Sequence, residues 1–207
     1  MQAVAGRAQA KRDQIAAAAR TLFLSGGFAR TSMAAVTAEA GVSKQTLYAY
    51  FPGKIELLRA IVEDELSSLR PTAAARPPAA SLAELRETLL SLARGITHRL
   101  MDPDVMALLR LLVGEAVHLP EIRHVFRQAI PAQLLSMVEA VLIDAGRAGL
   151  VQVPRPELSA RMFVGPVMSF VALDGLFSLE GGSPPDEDTL DFVVDAFLHS
   201  LTSREPS

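Results

Sequence analysis

The sequence predicts an all-α fold of about nine to ten helices, with a three-helix head at the N-terminus and a larger helical body behind it. Three observations carry this. Apolar residues recur at spacings of three and four from Ile15 to Leu201, with no strand-like alternation and no internal repeat. The stretch Thr31 to Lys54 reads as two short helices joined by a tight turn. Charge is also divided along the chain. Residues 1–59 hold eight Lys and Arg against three acids, a net of +5, and residues 60–207 hold twelve against twenty, a net of −8. A basic end on an acidic body suits a protein that meets phosphate at that end alone.

Residues 1–9 read as a loose arm in which Arg7, with Lys11 and Arg12, could reach phosphate. From Lys11 to Leu24 the set Ile15, Ala18, Ala19, Leu22 and Phe23 keeps helical spacing, and Gly26-Gly27 stops it. Thr31 and Ser32 are N-cap candidates for a second helix with Met33, Val36 and Ala40 inward. Gly41 supplies the left-handed residue that ends this helix, and Ser43 caps the third. The gap holds a turn and nothing more. In the third helix Leu47 and Phe51 point inward, leaving Lys44, Gln45, Thr46, Tyr48 and Ala49 on the other faces.

These are groove-reading residue types. Lys suits guanine and Gln suits adenine, so Lys44 and Gln45 are candidates for base edges. Tyr48, Tyr50 and Lys54 come later, where hydroxyls and an ammonium would grip phosphate and set register. Thr31, Ser32, Ala34, Ser43 and Thr46 complete the candidate DNA-contacting set.

A fourth helix carries Ile55, Leu58, Val62, Leu66 and Leu69 and ends before Pro71, and Arg70 to Ala80 is the linker-like stretch. The expected division is 1–53 for the DNA-binding head with its arm and 54–207 for the body, in which 54–70 is the connector. Ser81 and Glu84 form a capping box for a helix to about Met101, and Asp102-Pro103 opens another to about Val117. Pro120 and Pro131 divide the next part into a short helix and one running from Ala132 to Arg147, with Gly149 as its stop. Pro154 to Glu157 begins an apolar helix reaching about Leu179, which Pro166 should kink or shift. Gly181-Gly182 ends it. Ser183, Pro184 and Asp186 cap a final helix whose inner face is Leu190, Val193, Val194, Phe197 and Leu201.

The last two long helices are more apolar than one chain can cover, with Phe163, Val167, Phe170, Val171, Leu173, Leu176 and Phe177 on more than one face. A homodimer through these helices is expected. Ile96, Leu100, Met106, Leu109, Met137, Phe163 and Phe170 are candidates to line a cavity for a hydrophobic small-molecule effector, with Arg110 as the candidate buried cation.

Other classes fit poorly. There is no Cys, so disulfides and thiolate metal sites are excluded. The longest uncharged run, Met162 to Leu173, has twelve residues, too short to span a bilayer, and the expected location is the cytoplasm. Glu115, His118, Glu121 and His124 fall at spacings of three, but a di-iron bundle needs a second Glu-x-x-His pair, and Pro120 interrupts the helix that would align them. No metal, cofactor or catalytic activity is expected, since no nucleophile and base pair or phosphate loop is present. The competing class is a helical sensor or assembly protein without operator binding.

Gly27-Phe28, Thr31-Ser32-Met33, Ala40 through Leu47, Tyr48, Phe51 and Lys54 together resemble the DNA-binding domain of the TetR family of bacterial transcriptional regulators. The resemblance covers residues 10–62. Two departures are visible: Val36-Thr37 where the family often has Ile-Ala, and Gly53 where it often has Ser. The body, chiefly Leu108 to Glu115 and Pro120 to Gly149, resembles the effector-binding domain of an AefR-like branch. The resemblance implies a repressor that binds a near-palindromic double-stranded DNA operator as a dimer and leaves it when a small-molecule effector binds. It also implies a four-helix bundle as the dimer contact and a connector that swings.

Overall fold

The computed structural model describes residues 2–67, 77–178 and 182–202. These residues form helices throughout: α1 (Gln2–Gly26), α2 (Met33–Glu39), α3 (Lys44–Tyr50), α4 (Lys54–Ser67), α5 (Leu82–Leu100), α6 (Pro103–Ala116), α7 (Pro120–Ala129), α8 (Pro131–Arg147), α9 (Pro156–Phe170) with a π-helical turn at Val171–Leu176, and α10 (Glu187–Thr202). Contacts divide the chain into two compact units. One joins Met1–Leu66 to Ala107–Ala129, and the other joins Ser67–Met106 to Ile130–Ser207. This division is not the motif boundary expected at residue 53, because α4, most of α6 and α7 group with the head.

The first unit is built on α1. Its buried stripe is Ile15, Ala19 and Phe23, and the Phe23 ring meets Phe28 with centroids 5.1 Å apart. Val36, Leu47 and Phe51 are also buried, each side chain of this size contributing roughly 1.5–3 kcal/mol of transfer free energy. The expected loose arm is instead helical from Gln2. Alanine dominates this stretch, and alanine loses the least entropy in a helix. In α4 the buried stripe is Leu57, Leu58, Ile61 and Val62, shifted from the expected Ile55, Leu58 and Val62. Leu69 and Pro71 lie outside the described residues, as does the side chain of Leu66.

In the second unit α9 packs on α8, α5 and α10, and α5 packs on α10. The caps form where the sequence places them. Ser81 Oγ accepts from Glu84 N–H at 3.2 Å, and the Glu84 carboxylate accepts from Ala80 N–H at 2.8 Å, one residue short of a reciprocal box. Asp102 accepts from Asp104 N–H at 3.0 Å, and Asp186 accepts from Thr189 N–H at 2.9 Å. The buried face of α10 is Leu190, Val194, Phe197, Leu198 and Leu201, with Val193 partly exposed. The helix carrying Pro166 runs on to Phe170 and then widens into the π turn, ending at Phe177. The ring removes one backbone donor, and the Pro166 carbonyl takes a bond from Ser169 Oγ at 2.6 Å. Leu179 and Gly181 lie outside the described residues.

The 28 residues Pro120–Arg147 are long and apolar enough to cross a membrane by length and composition. The helix breaks at Ile130-Pro131, and Leu134, Val138, Leu142 and Ala145 are buried in the protein.

Candidate nucleic-acid interface

The two reading helices are fixed to each other by short-range chemistry. Ser32 Oγ accepts from Ala35 N–H at 3.1 Å and so caps α2. Thr31, the other cap candidate, is buried and does something else: its hydroxyl donates to the Gly27 carbonyl at 2.8 Å and lies 3.2 Å from that of Leu22. Gly41 has φ +58, which lets the chain leave α2 and start α3 within three residues. The side-chain amide of Gln14 on α1 reaches the Ala40 carbonyl at 2.7 Å and holds this turn from behind. Ser43 Oγ accepts from Thr46 N–H at 3.1 Å, capping α3, and also bonds the Thr46 hydroxyl at 2.8 Å.

On α3, Leu47 faces inward with no exposed surface, and Lys44, Gln45, Tyr48 and Ala49 all lie at the surface. Positions 44, 45, 48 and 49 share one side of a helix, so they form a continuous outward face of a cation, an amide, a phenol and a methyl. The Lys44 ammonium sits 5.9 Å from the Tyr48 ring centroid. Ser32, Ala34 and Ser43 are exposed, and Thr46 and Tyr50 are partly buried.

Lys54 occupies a different setting from the one expected. Its ammonium donates to the carbonyls of Phe28 at 2.7 Å, Thr31 at 3.0 Å and Ala29 at 3.1 Å, and lies 4.4 Å from the centroid of the Phe28 ring. Its three donors are therefore occupied within the protein. Burial pushes its pKa below the ordinary lysine value, opposed by the Glu115 carboxylate. Lys54 ties the α1–α2 turn to the first residue of α4. Just before it, a Cβ on Gly53 would come within 2.8 Å of the Glu56 carboxylate, so glycine here leaves that side chain room to fold back.

The family model for bacterial regulatory proteins of the tetR family matches residues 15–61, and that for the AefR-like transcriptional repressor C-terminal domain matches residues 87–200. The chain belongs to the TetR family of bacterial transcriptional regulators. Among solved structures, the flavonoid-responsive regulator FrrA has a TM-score of 0.75 at 28% identity, over 95% of this chain and 100% of FrrA. A TetR family transcriptional regulator from Pseudomonas syringae pv. tomato str. DC3000 has a TM-score of 0.63 at 29% identity, over 91% of this chain and 93% of that one. Salmonella enterica GusR, at 21% identity and a TM-score of 0.65 over 91% and 95% of the two chains, shares the fold. No curated protein sequence matches this TetR regulator.

The candidate effector residues of this TetR chain do not form a single group. Ile96, Leu100, Met106 and Phe163 are buried in the second unit, where Met137 and Phe170 are partly buried. In the same unit Met106 Cε packs so close to Gly175 of the π turn that a Cβ there would come within 2.5 Å of it. Leu109 is buried too, but it belongs to the first unit. Arg110, expected as a buried cation, is exposed and lines a surface groove with Phe23, Leu24 and Glu115 in the first unit. It shares that side of α6 with Ala107 and Gly114, which line the same groove. Among the described residues, no group of three or more metal-binding side chains is assembled, and Glu115 and His118 are separated from Glu121 and His124 by the break between α6 and α7. Sequence reasoning missed Gln14 and the structural engagement of Lys54. Neither carries a local signal, since each acts on a backbone carbonyl more than 20 residues away.

Proposed function

We propose that this TetR regulator is a ligand-responsive repressor that binds a near-palindromic operator as a two-fold dimer. The observation that carries this is the outward face of α3, where Lys44, Gln45, Tyr48 and Ala49 stand clear while Leu47 is fully buried. Lys44 and Gln45 read base edges. Ser32, Ser43, Thr46, Tyr48 and Tyr50 hold phosphates and fix the register, with Ala34 in contact beside them. Lys54 acts as a positioning residue that keeps the turn before α2 in shape.

The dimer forms through α9, its π turn and α10. Support comes from large apolar side chains left at the surface there: Phe192 is 75% exposed, Phe177 69%, Leu173 67% and Met162 56%. Aromatic side chains this exposed on consecutive helices mark a partner surface. A two-fold axis between two copies sets two α3 helices on successive turns of duplex.

The effector is a hydrophobic small molecule held in the body, where Ile96, Leu100, Met106, Met137, Phe163 and Phe170 supply apolar and flexible walls. The similarity to FrrA, flavonoid-responsive by its name, favours a flat, largely apolar molecule. Effector binding favours a state with weaker operator affinity, so release follows from differential affinity for two states. The protein works in the cytoplasm and performs no catalysis.

Nuclease footprinting across the upstream region of the chain's own gene tests this. Two protected half-sites related by a dyad are expected. A stable dimer that protects no fragment, with or without small molecules, would favour the helical sensor or assembly reading instead.

A further inference from the structure

Residues 2–14 of α1 run on past the core of the head. Ile15 is the first buried side chain of the helix among those described, and every side chain from Arg7 to Gln14 is exposed or half-exposed. At 1.5 Å per residue this is roughly 20 Å of helix with no packed face. Propensity holds it, through its alanines, and its charges are left to meet a partner.

Those charges are sorted by side. Arg7, Lys11 and Gln14 stand at i, i+4 and i+7, within about 60° of one another around the helix. Asp13, the only acid in residues 1–14, is turned away, roughly 130° round from the middle of that stripe. It accepts from the Gln9 amide at 2.7 Å. The basic stripe is also aimed. The Lys11 ammonium donates to Gln14 Oε1 at 2.9 Å, and Gln14 Nε2 donates to the Ala40 carbonyl at 2.7 Å. Lys11 is thus two hydrogen bonds from the residue that ends α2, and the stripe runs outward from the α2–α3 turn, beside the start of α3. Arg7 lies one turn farther out, about 6 Å along the axis.

Availability separates Lys11 from Lys54. Lys54 gives all three ammonium donors to backbone carbonyls, whereas the bond to Gln14 uses one of the three on Lys11. We propose that Arg7 and Lys11 form a second phosphate-binding element, a helical basic ridge that takes the DNA backbone beside the groove entered by α3. Long cations outside the groove-reading pair hold phosphate and carry no base preference. Gln14 is the positioning residue, tying the ridge to the α2–α3 turn so that both grips keep one register. This contact rests on the operator-binding reading above, and it moves the phosphate role expected of Lys54 to α1.

Fluorescence anisotropy on the full chain tests it, with the upstream fragment and with random duplex over a salt series. In a dimer Lys11→Gln removes two phosphate contacts, so the slope of log affinity against log salt should become shallower by about 1.8, and Arg7→Gln should do the same. Lys11→Arg keeps the charge and should keep the slope. Asp13→Asn changes the net charge by the same amount on another side of α1 and should leave the slope unchanged. The affinity ratio of the two duplexes should stay at the wild-type value in every variant, as should the melting temperature. Arg7→Gln, a full turn beyond Lys11, carries the test should Lys11→Gln lower the melting temperature. A wild type with a steep slope that both glutamine variants share keeps the operator reading and overturns this inference. A changed affinity ratio would also overturn it, as would an Asp13→Asn effect as large as theirs, which marks a general field in place of contact. A wild type that binds neither duplex at about 50 mM salt loses both.

Discussion

Lys54 has the charge and the position of a phosphate ligand, but an ammonium has only three donors and the carbonyls of Phe28, Ala29 and Thr31 take them. Lys54→Met should lower head stability by roughly 2 kcal/mol, since three carbonyls lose a charged donor. Operator affinity should then fall alike for all sequences, in step with the melting temperature. Gln45→Ala should behave oppositely, leaving the melting temperature unchanged while relaxing preference at one base pair by about 1–3 kcal/mol in a binding-site selection. At Gly41, φ of +58 is a conformation that alanine resists, so Gly41→Ala should cost about 1 kcal/mol in thermal unfolding. The caps at Ser32 and Ser43 and the turn at Gly41 were legible in the sequence because they act within three residues. Thr31 was not, because its hydroxyl turns back to Gly27 and Leu22, and residue type alone does not say which way a hydroxyl points. Arg110 illustrates the same limit: a cation among leucines reads as buried until the helix face it occupies is known.

At the scale of elements, proline and glycine made the helix boundaries readable. Pro103, Pro120, Pro131 and Pro156 each stand first in a helix, where the missing N–H costs nothing. The π turn at Val171–Leu176 left no such signal, since its residues suit an ordinary α-helix equally well. The extra helical turns before Lys11 were missed because the basic residues there suggested a tail, although the alanines around them favour a helix. The apolar surplus of the last two helices was legible, and the structure sorts it: Phe163 and Val167 are buried, whereas Leu173, Phe177 and Phe192 are exposed. Phe177→Asp with Phe192→Asp should therefore leave helix content intact, because neither ring is part of the core. Sedimentation should show the dimer dissociation constant raised at least about tenfold, as expected for aromatic anchors at an interface, with operator affinity falling alongside.

At the scale of the whole molecule, two clasps join α5 to α10. Arg86 meets Asp191 at 2.5 Å and Asp195 at 2.6 Å, and Arg94 holds Glu187 through a two-pronged pair. The hydrogen bond from Arg86 holds Asp195 below the ordinary carboxylate value, the one from Arg94 does the same for Glu187, and a bond from Thr189 lowers Asp186. Folding lowers these pKa values, so the native state binds fewer protons than the unfolded chain across the carboxylate range. The stabilisation is then complete above the unfolded values of 3.8 and 4.5, and is lost as pH falls through the depressed ones. The melting temperature should hold from pH 7 to 5 and drop below about pH 4, with a shallower drop in Arg86→Gln. All these groups are at the surface, so the effect is small and should shrink in salt. The division into two units was the feature least legible in the sequence. Motif spacing locates the head, but the grouping of residues 107–129 with it depends on how amphipathic helices of similar pattern pack, which periodicity does not encode.

The central claim is that one basic tip of this chain, presented twice by a dimer, grips duplex DNA. Fluorescence anisotropy with a labelled fragment of the upstream region, repeated over a series of salt concentrations, tests it most directly. Several phosphate contacts predict that the logarithm of affinity falls linearly and steeply with the logarithm of salt, by about 0.9 for each phosphate neutralised. A flat response, or equal affinity for that fragment and for random duplex at every salt concentration, would contradict it.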